Sequence, residues 1–437
     1  MITEQRMLHS NLSVKEGNLY FAGYNTVELA REYGTPLMLL DEKRIRERMR
    51  TYKRAMMTHF GENARPLYAS KALSFTAIYQ IAREEGIYTD IVSVGELYTA
   101  LRAGFPMENA FFHGNNKTDS DIRYGIENKI GYFIVDTYDE LYAINEIAKE
   151  FNVKQKVLLR ITPGIDPHTH EAISTGKVDS KFGTAIETGQ AIEITREALS
   201  LESIDLRGFH CHIGSQIFET EPFFDAADIM ISYIGKVREE LGYTAEILNL
   251  GGGFGVRYVE SDPEISYEDN IAKIAEHIDT YCRENDLPYP TILMEPGRSI
   301  VADCGITLYT VGSVKEITGY KNYVSIDGGM TDNPRYALYS SAYTVCVANK
   351  MDENKDYICT VAGRNCESGD LIQENVKIPR VVRGDILAVL VTGAYNYSMA
   401  SNYNRVPRPE VVLLGDTKRV VIRREKIEDV SLLDVML

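Results

Sequence analysis

The sequence predicts an α/β chain: a (β/α)8 barrel of the TIM type, followed by a second, mostly β domain that is sandwich- or barrel-like. Three observations carry this reading. Eight short apolar runs alternate with longer amphipathic stretches through the middle of the chain. The first four runs begin at residues 66, 89, 110 and 132, a spacing that holds one strand and one helix each. After about residue 305 the texture shifts to segments rich in Val, Ile, Thr and Tyr with turn residues between them.

Taken in order, Leu19–Phe21 and Pro36–Leu40 read as N-terminal strands that precede the barrel pattern. The Lys/Arg-rich stretch Lys43–Arg54 reads as the solvated face of a helix. The barrel strands are expected at Pro66–Ser70, Thr89–Ser93, Ala110–His113, Tyr132–Asp136, Lys156–Ile161, Leu206–His210, Glu246–Leu250 and Thr291–Glu295. Helices are expected at Ala72–Glu85, Glu96–Ala103, Tyr138–Phe151 and Gly189–Leu199. Eight successive units favour a closed barrel over an open doubly wound sheet. The β segments are Ile306–Lys315, Tyr323–Ile326, Tyr343–Ala348, Tyr357–Val361, Asp385–Thr392, Glu410–Leu414 and Arg419–Arg423. The expected division is 36–304 for the barrel, with 1–35 and 305–437 forming the β domain.

Composition narrows the function. The chain has 437 residues with 47 basic and 63 acidic side chains, a net charge of −16. That balance argues against a nucleic-acid partner and against docking on anionic lipid. No apolar run is long enough to span a membrane, and Met1–Arg6 lacks the apolar core of a signal peptide. The six cysteines include no CxxC, which points to reduced thiols and a cytoplasmic location. The 28 tyrosines suit polar pockets and interfaces.

In such a barrel the active site forms at the C-terminal ends of the strands. Here those ends carry Ser70-Lys71, Asp90, His113, Asp136, Arg160, the run Gly208–Ser215, the run Gly251–Gly253 and Glu295-Pro296-Gly297-Arg298. This convergence of polar groups argues for an enzyme. Gly251, Gly252 and Gly253 either surround an anion with backbone N–H groups or make a tight turn. No GxxxxGK[ST] exists, which disfavours a nucleoside triphosphate. The loops after strands seven and eight, with Gly297 and Arg298, suit a phosphate-bearing ligand. Lys71 closes the first strand and begins a helix. It is either an ordinary helix-start lysine or, facing the barrel mouth, an amine made nucleophilic by partial desolvation and nearby cations and able to form a Schiff base with an aldehyde cofactor. A carboxylate such as Glu295 could hold the ring nitrogen of pyridoxal phosphate. His168, His170, His210 and His212 form two HxH pairs that could instead bind zinc, which leaves a metallohydrolase open. In the β domain Arg335 and Tyr339 could hold a carboxylate. Cys366 is either a proton donor or a small buried residue.

These segments resemble the fold-type III pyridoxal-phosphate decarboxylases, the group that includes alanine racemase-like and ornithine decarboxylase-like proteins. The resemblance runs from Tyr33-Gly34-Thr35-Pro36-Leu37 to Asn402-Tyr403-Asn404. It is carried by Tyr68–Ala72, Phe209–Gln216, Gly251–Gly253, Glu295–Arg298, Cys366–Asp370 and Gly393–Tyr395. Thr169–Gly176, running into Asp179–Gly183, is similar to the branch that acts on meso-2,6-diaminopimelate. The resemblance implies pyridoxal 5'-phosphate as cofactor, no metal, and decarboxylation to L-lysine and carbon dioxide as the last step of lysine synthesis. A decarboxylase of D-ornithine, D-lysine or arginine is the alternative. By resemblance, Lys71 would carry the cofactor covalently, with Asp90 also at the cofactor, and His212 would stack on its ring. Ser215, Gly251, Gly252, Gly253, Gly297 and Arg298 would hold the phosphate, and Glu295 the ring nitrogen. Arg298, Arg335 and Tyr339 would bind the distal carboxylate of the amino-acid substrate, Glu367 its amine, and Tyr395 both cofactor and substrate. Cys366 would donate the proton. The resemblance also implies a homodimer whose β domain completes the partner's site.

Overall fold

The computed structural model describes residues 7–165 and 180–437. His168, His170 and the Thr169–Asp179 part of the diaminopimelate-like segment lie outside the described residues. The chain divides into two compact units, one built from Arg46–Gly255 and Ile265–Ser299, the other from Met1–Ile45, Val256–Glu264 and Ile300–Leu437.

The first unit is an eight-stranded parallel barrel. Its strands are Arg65–Ala69, Tyr88–Ile91, Ala110–Phe112, Tyr132–Val135, Gln155–Thr162, Ile204–His210, Ile247–Asn249 and Thr291–Met294. Each pairs with the next, and Leu293 and Met294 close the ring against Arg65 and Pro66. Leu67, Phe111, Ile134, Leu158 and Leu293 form one buried cluster. Strands on opposite sides of a ring can meet only through its interior, so these side chains fill the barrel rather than line a pore. Phe111 stacks on Tyr132 with ring centroids 4.3 Å apart.

Helices follow the strands, each started by local chemistry. Ser93, Thr118, Thr137 and Ser266 accept backbone N–H groups as N-caps of the helices Val94–Arg102, Asp119–Glu127, Tyr138–Glu150 and Tyr267–Glu284. Gly86 and Gly242 end two others in the left-handed conformation. The basic stretch lies in the helix Glu42–Phe60, where Arg46 and Arg50 pair with Glu84 and Glu85. One expectation needs correction. No helix starts at Ala72: Ser70–Ala72 is a single 3-10 turn, Leu73 is extended, and the helix begins at Thr76. Lys71 therefore sits on a short turn off the first strand, not on a helix.

The second unit opens with an antiparallel meander, Leu12–Lys15, Asn18–Phe21 and Tyr24–Asn25. Its two-residue turns, Glu16-Gly17 and Ala22-Gly23, have positive φ at both positions, the geometry that suits the strand twist. A nine-stranded sheet follows, organised on the long strand Gly305–Ile317. The first half of that strand pairs with Leu37–Asp41 on one side and Ile386–Leu390 on the other. Its second half pairs with Lys321–Ile326. Leu37–Asp41 is wholly buried and also runs parallel to Glu410–Leu414, so this sheet holds the strand at the start of the 36–304 span. An additional strand, Leu371–Ile378, pairs antiparallel with Tyr357–Ala362. It escapes sequence reading because Gln373, Glu374, Asn375 and Lys377 dilute its pattern and Asn375 turns left-handed. Among the described residues no helix is long and apolar enough to cross a membrane. All six cysteines are free thiols, and Cys366 alone is exposed.

Candidate active site

The C-terminal ends of the barrel strands gather one connected polar network. Its centre is Glu295, buried at the end of the eighth strand. Asn249 Nδ2 donates to Glu295 Oε1 at 2.7 Å. His113 Nε2 lies 2.8 Å from the same oxygen, and His210 Nε2 lies 3.2 Å from Oε2. Burial alone would raise the Glu295 pKa, but His113 and His210 outweigh it and hold the carboxyl well below its usual range. Burial likewise pushes His210 down to about 4 despite the acid beside it. The result is a carboxylate kept ionised away from water. Each carboxylate oxygen has two lone pairs, and Oε2 accepts from His210, so it has room for another donor.

Lys71 stands at the rim with its side chain 43% exposed, and its Nζ is 3.8 Å from Asp90 Oδ2. The expected neighbouring cation is replaced by an acid. Strand register sets Asp90 beside Ala69, and Asp90 Oδ1 accepts the N–H of Ser70 at 2.8 Å. Asp90 Oδ2 is buried without a hydrogen bond, and desolvation raises the carboxyl pKa. Glu96, one turn on, accepts the N–H of Val92 at 2.6 Å. Burial, with Asp90 next to it, pushes Glu96 up to about 7.

The HxH pair does not act as one ligand pair. His210 turns to Glu295, whereas His212 Nδ1 accepts the N–H of Gly252 at 3.2 Å. An accepting Nδ1 puts the proton of the neutral ring on Nε2. Desolvation, with Lys71 and Arg160 nearby, keeps His212 well below its usual pKa, so it is neutral. His113, His210 and Glu295 are the group of described residues whose ligand atoms fall within 4.8 Å of one another. His210 Nε2 is hydrogen-bonded to Glu295 Oε2, whereas His113 Nε2 lies 2.8 Å from Oε1 without a hydrogen bond.

The three glycines are demanded by close packing. A Cβ on Gly252 would lie 2.2 Å from Glu295 O, one on Gly251 2.5 Å from Cys211 O, and one on Gly253 2.8 Å from Gly214 O. Gly251 N–H donates to Asn249 Oδ1 at 2.9 Å, so the N–H groups of Gly251 and Gly252 are both used inside the protein. That corrects the simple picture of three amides all facing an anion. The bridge between Ile217 and Phe254 joins this loop to the one carrying Ser215. Arg298 reaches the same point: its Nη2 donates to Ser215 Oγ at 3.0 Å. Gly297 is also required, since a Cβ there would meet Ala69 Cβ at 2.8 Å.

In the second unit the buried Arg335 lies over the ring of Tyr339 at 4.4 Å and over Tyr395 at 5.4 Å. Tyr395 has a left-handed backbone, φ 58°. Cys366 and Glu367 lie on a separate exposed turn. Glu367 folds back on it, with Oε1 accepting Gly369 N–H at 3.2 Å.

Sequence reasoning missed the supports. Asn249 is a polar residue in a buried apolar strand, a signal that it needs a partner. Glu96 hides as an ordinary first-turn acid. Lys117 is buried with Glu140 and donates to Gly114 O and Ile134 O at 2.8 Å, a pair no motif announces.

Comparison with known proteins points to one family. Residues 42–302 match the family model described as pyridoxal-dependent decarboxylase, pyridoxal binding domain. The chain is 45% identical over 422 residues to diaminopimelate decarboxylase of Bacillus subtilis, covering 96% of each. It is 44% identical to the Staphylococcus aureus protein of the same name, covering 96% of this chain and 98% of that one. Its fold matches the crystal structure of diaminopimelate decarboxylase from M. jannaschii in complex with L-lysine, with a TM-score of 0.91, 34% identity and 99% of each chain covered. A barrel whose strand ends hold an exposed lysine and a buried ionised glutamate, matched over nearly its whole length by these enzymes, belongs to the diaminopimelate decarboxylase family of pyridoxal-dependent decarboxylases.

Proposed function

We propose that this chain decarboxylates meso-2,6-diaminopimelate to L-lysine and carbon dioxide with pyridoxal 5'-phosphate as cofactor. The observation that carries the reading is Glu295, a buried carboxylate held ionised by His113, His210 and Asn249. Such a group suits a protonated pyridine nitrogen, and a spare acceptor on Oε2 fits it. The close-packed glycine loop brings the chain of Gly251–Gly253 against the segment of Ser215, where Arg298 donates to Ser215 Oγ, a cationic and hydroxyl pair suited to a phosphate. When bound, the cofactor supplies an electron sink for the carbanion left by loss of carbon dioxide.

The residues divide the remaining work. Lys71 offers the amine that holds the cofactor, and Asp90 offers a carboxylate to that amine. Neutral His212 presents a flat ring without a competing charge. Arg335, with Tyr339 and Tyr395 packed on it, binds the distal carboxylate of the substrate, and Glu367 its distal amine. Cys366 Sγ delivers the proton that replaces carbon dioxide. A substrate lacking the distal carboxylate leaves Arg335 buried and unpaired, which penalises lysine, ornithine and arginine. The Cys366 turn serves the barrel of a second copy, so the working unit is a homodimer in the cytoplasm, where free thiols persist.

The test is carbon dioxide release from meso-diaminopimelate compared with D-ornithine, D-lysine and arginine. Release from the first above the others supports the reading, and no release from it refutes the substrate. A visible absorbance band that disappears with borohydride, and is missing in Lys71→Ala, checks the cofactor independently.

A further inference from the structure

The turn that carries Cys366 is held from two sides. Within it, the buried Asp370 carboxylate accepts the N–H of Asn365 at 2.7 Å, Asn365 Nδ2 at 2.8 Å and the N–H of Met330 at 2.6 Å. From outside, Asn404 Oδ1 accepts the backbone N–H of Cys366 itself at 2.8 Å.

Asn404 sits in a strained and heavily anchored loop. Its φ is 51°, and that of Arg405 is 57°. Left-handed backbone is costly for most residues and tolerated best by Gly, Asn and Asp. Two such residues in a row persist only where the surroundings over-determine them. Here Ser401 N–H donates to Thr331 O at 2.9 Å, next to the Met330 that Asp370 holds. Asn402 Nδ2 donates to Glu425 Oε2 at 2.6 Å, and Arg405 pairs with Asp434 at 3.0 Å. The loop is thus fastened at both ends, to the chain beside Thr331 and to the C-terminal segment, and it aims one side-chain oxygen at the Cys366 amide.

We propose that Asn404 is a positioning residue for Cys366: its side-chain oxygen fixes the backbone of the turn and so the direction in which the thiol is presented. This rests on reading Cys366 as the proton donor. A hydrogen bond to the Cys366 N–H restricts its φ, and φ sets where Cβ and Sγ point. Proton delivery depends on such placement, where a misplacement of ~1 Å costs up to about a hundredfold.

The design of the test uses the left-handed backbone. Asn404→Gly removes the acceptor and keeps the conformation free of strain, whereas Asn404→Asp keeps both the oxygen and the conformation. In the intact holoenzyme, Asn404→Gly is expected to lower kcat about tenfold, with Asn404→Asp restoring most of it. Amide hydrogen exchange at Cys366 should quicken in the glycine variant and not in the aspartate one. The double variant Asn404→Gly/Cys366→Ala should turn over no more slowly than Cys366→Ala alone. If Cys366→Ala is impaired and the glycine substitution still costs its full factor on top, or if exchange at Cys366 is unchanged, the positioning role is overturned. If Cys366→Ala is as active as the parent, it is the reading of Cys366 that fails.

Discussion

At the scale of single residues, the chemistry turns on charges held where water does not reach. Glu295→Gln removes the ionised group and keeps its size. We expect it to lower turnover by at least about a hundredfold, measured as carbon dioxide release. Glu96 gives a prediction of pH dependence. Its folded-state pKa of about 7 lies above the ordinary value of 4.5, so its stabilising share is complete below the ordinary value and lost as pH rises through 7. Glu96→Gln escapes that loss. It should melt ~2 °C above the parent near pH 8, with the gap shrinking toward pH 5, as thermal scans across pH would show. That Lys71, Asp90, His210 and Glu295 lie at strand ends was legible in the sequence, because the strand pattern repeats. Asn249 and the contacts among these groups were not. Asn249, His113 and His210 come from three strands, and their convergence on Glu295 exists only once the ring closes.

At the scale of elements, the loop after the seventh strand has no space for a side chain. Gly252→Ala would drive a Cβ to 2.2 Å from the Glu295 carbonyl, a backbone atom that cannot swing aside. A destabilisation of about 2–3 kcal/mol and loss of turnover are expected, read by chemical denaturation and by the same activity assay. The alternation of strand and helix was legible because it repeats. The helix break after Lys71 was not, because Leu73-Ser74-Phe75 is apolar enough to pass for a first helical turn. The strand Leu371–Ile378 was hidden by its own polar face. The paired turns of the N-terminal meander place Glu16 and Ala22, residues with no turn signature, at positive φ.

At the scale of the whole molecule, the reading of shared sites can be tested by mixing. Lys71→Ala should be inactive alone, and Cys366→Ala should keep only a small residual rate. Unfolded together and refolded, they should regain about one quarter of parental activity, since random pairing makes half the dimers mixed and each mixed dimer has one intact site. No recovery would place all residues of a site on one chain. The pattern of exposure adds a simpler check. A thiol reagent applied to the native protein should modify Cys366 ahead of the five buried cysteines, and Cys366→Ala should abolish that first phase.

The sheet of the second unit also bears on how the protein is made. Leu37–Asp41 is hydrogen-bonded to Gly305–Leu308 and to Glu410–Leu414, partners that leave the ribosome hundreds of residues later. The barrel strands finish at Met294, so the barrel can close while the β sheet still lacks its later members. During synthesis a largely apolar strand, Leu-Met-Leu-Leu-Asp, must wait for its first partner until Gly305–Leu308 is made, and for its second until Glu410–Leu414. That waiting strand, more than any residue of the active site, is where a nascent chain is exposed to wrong pairing.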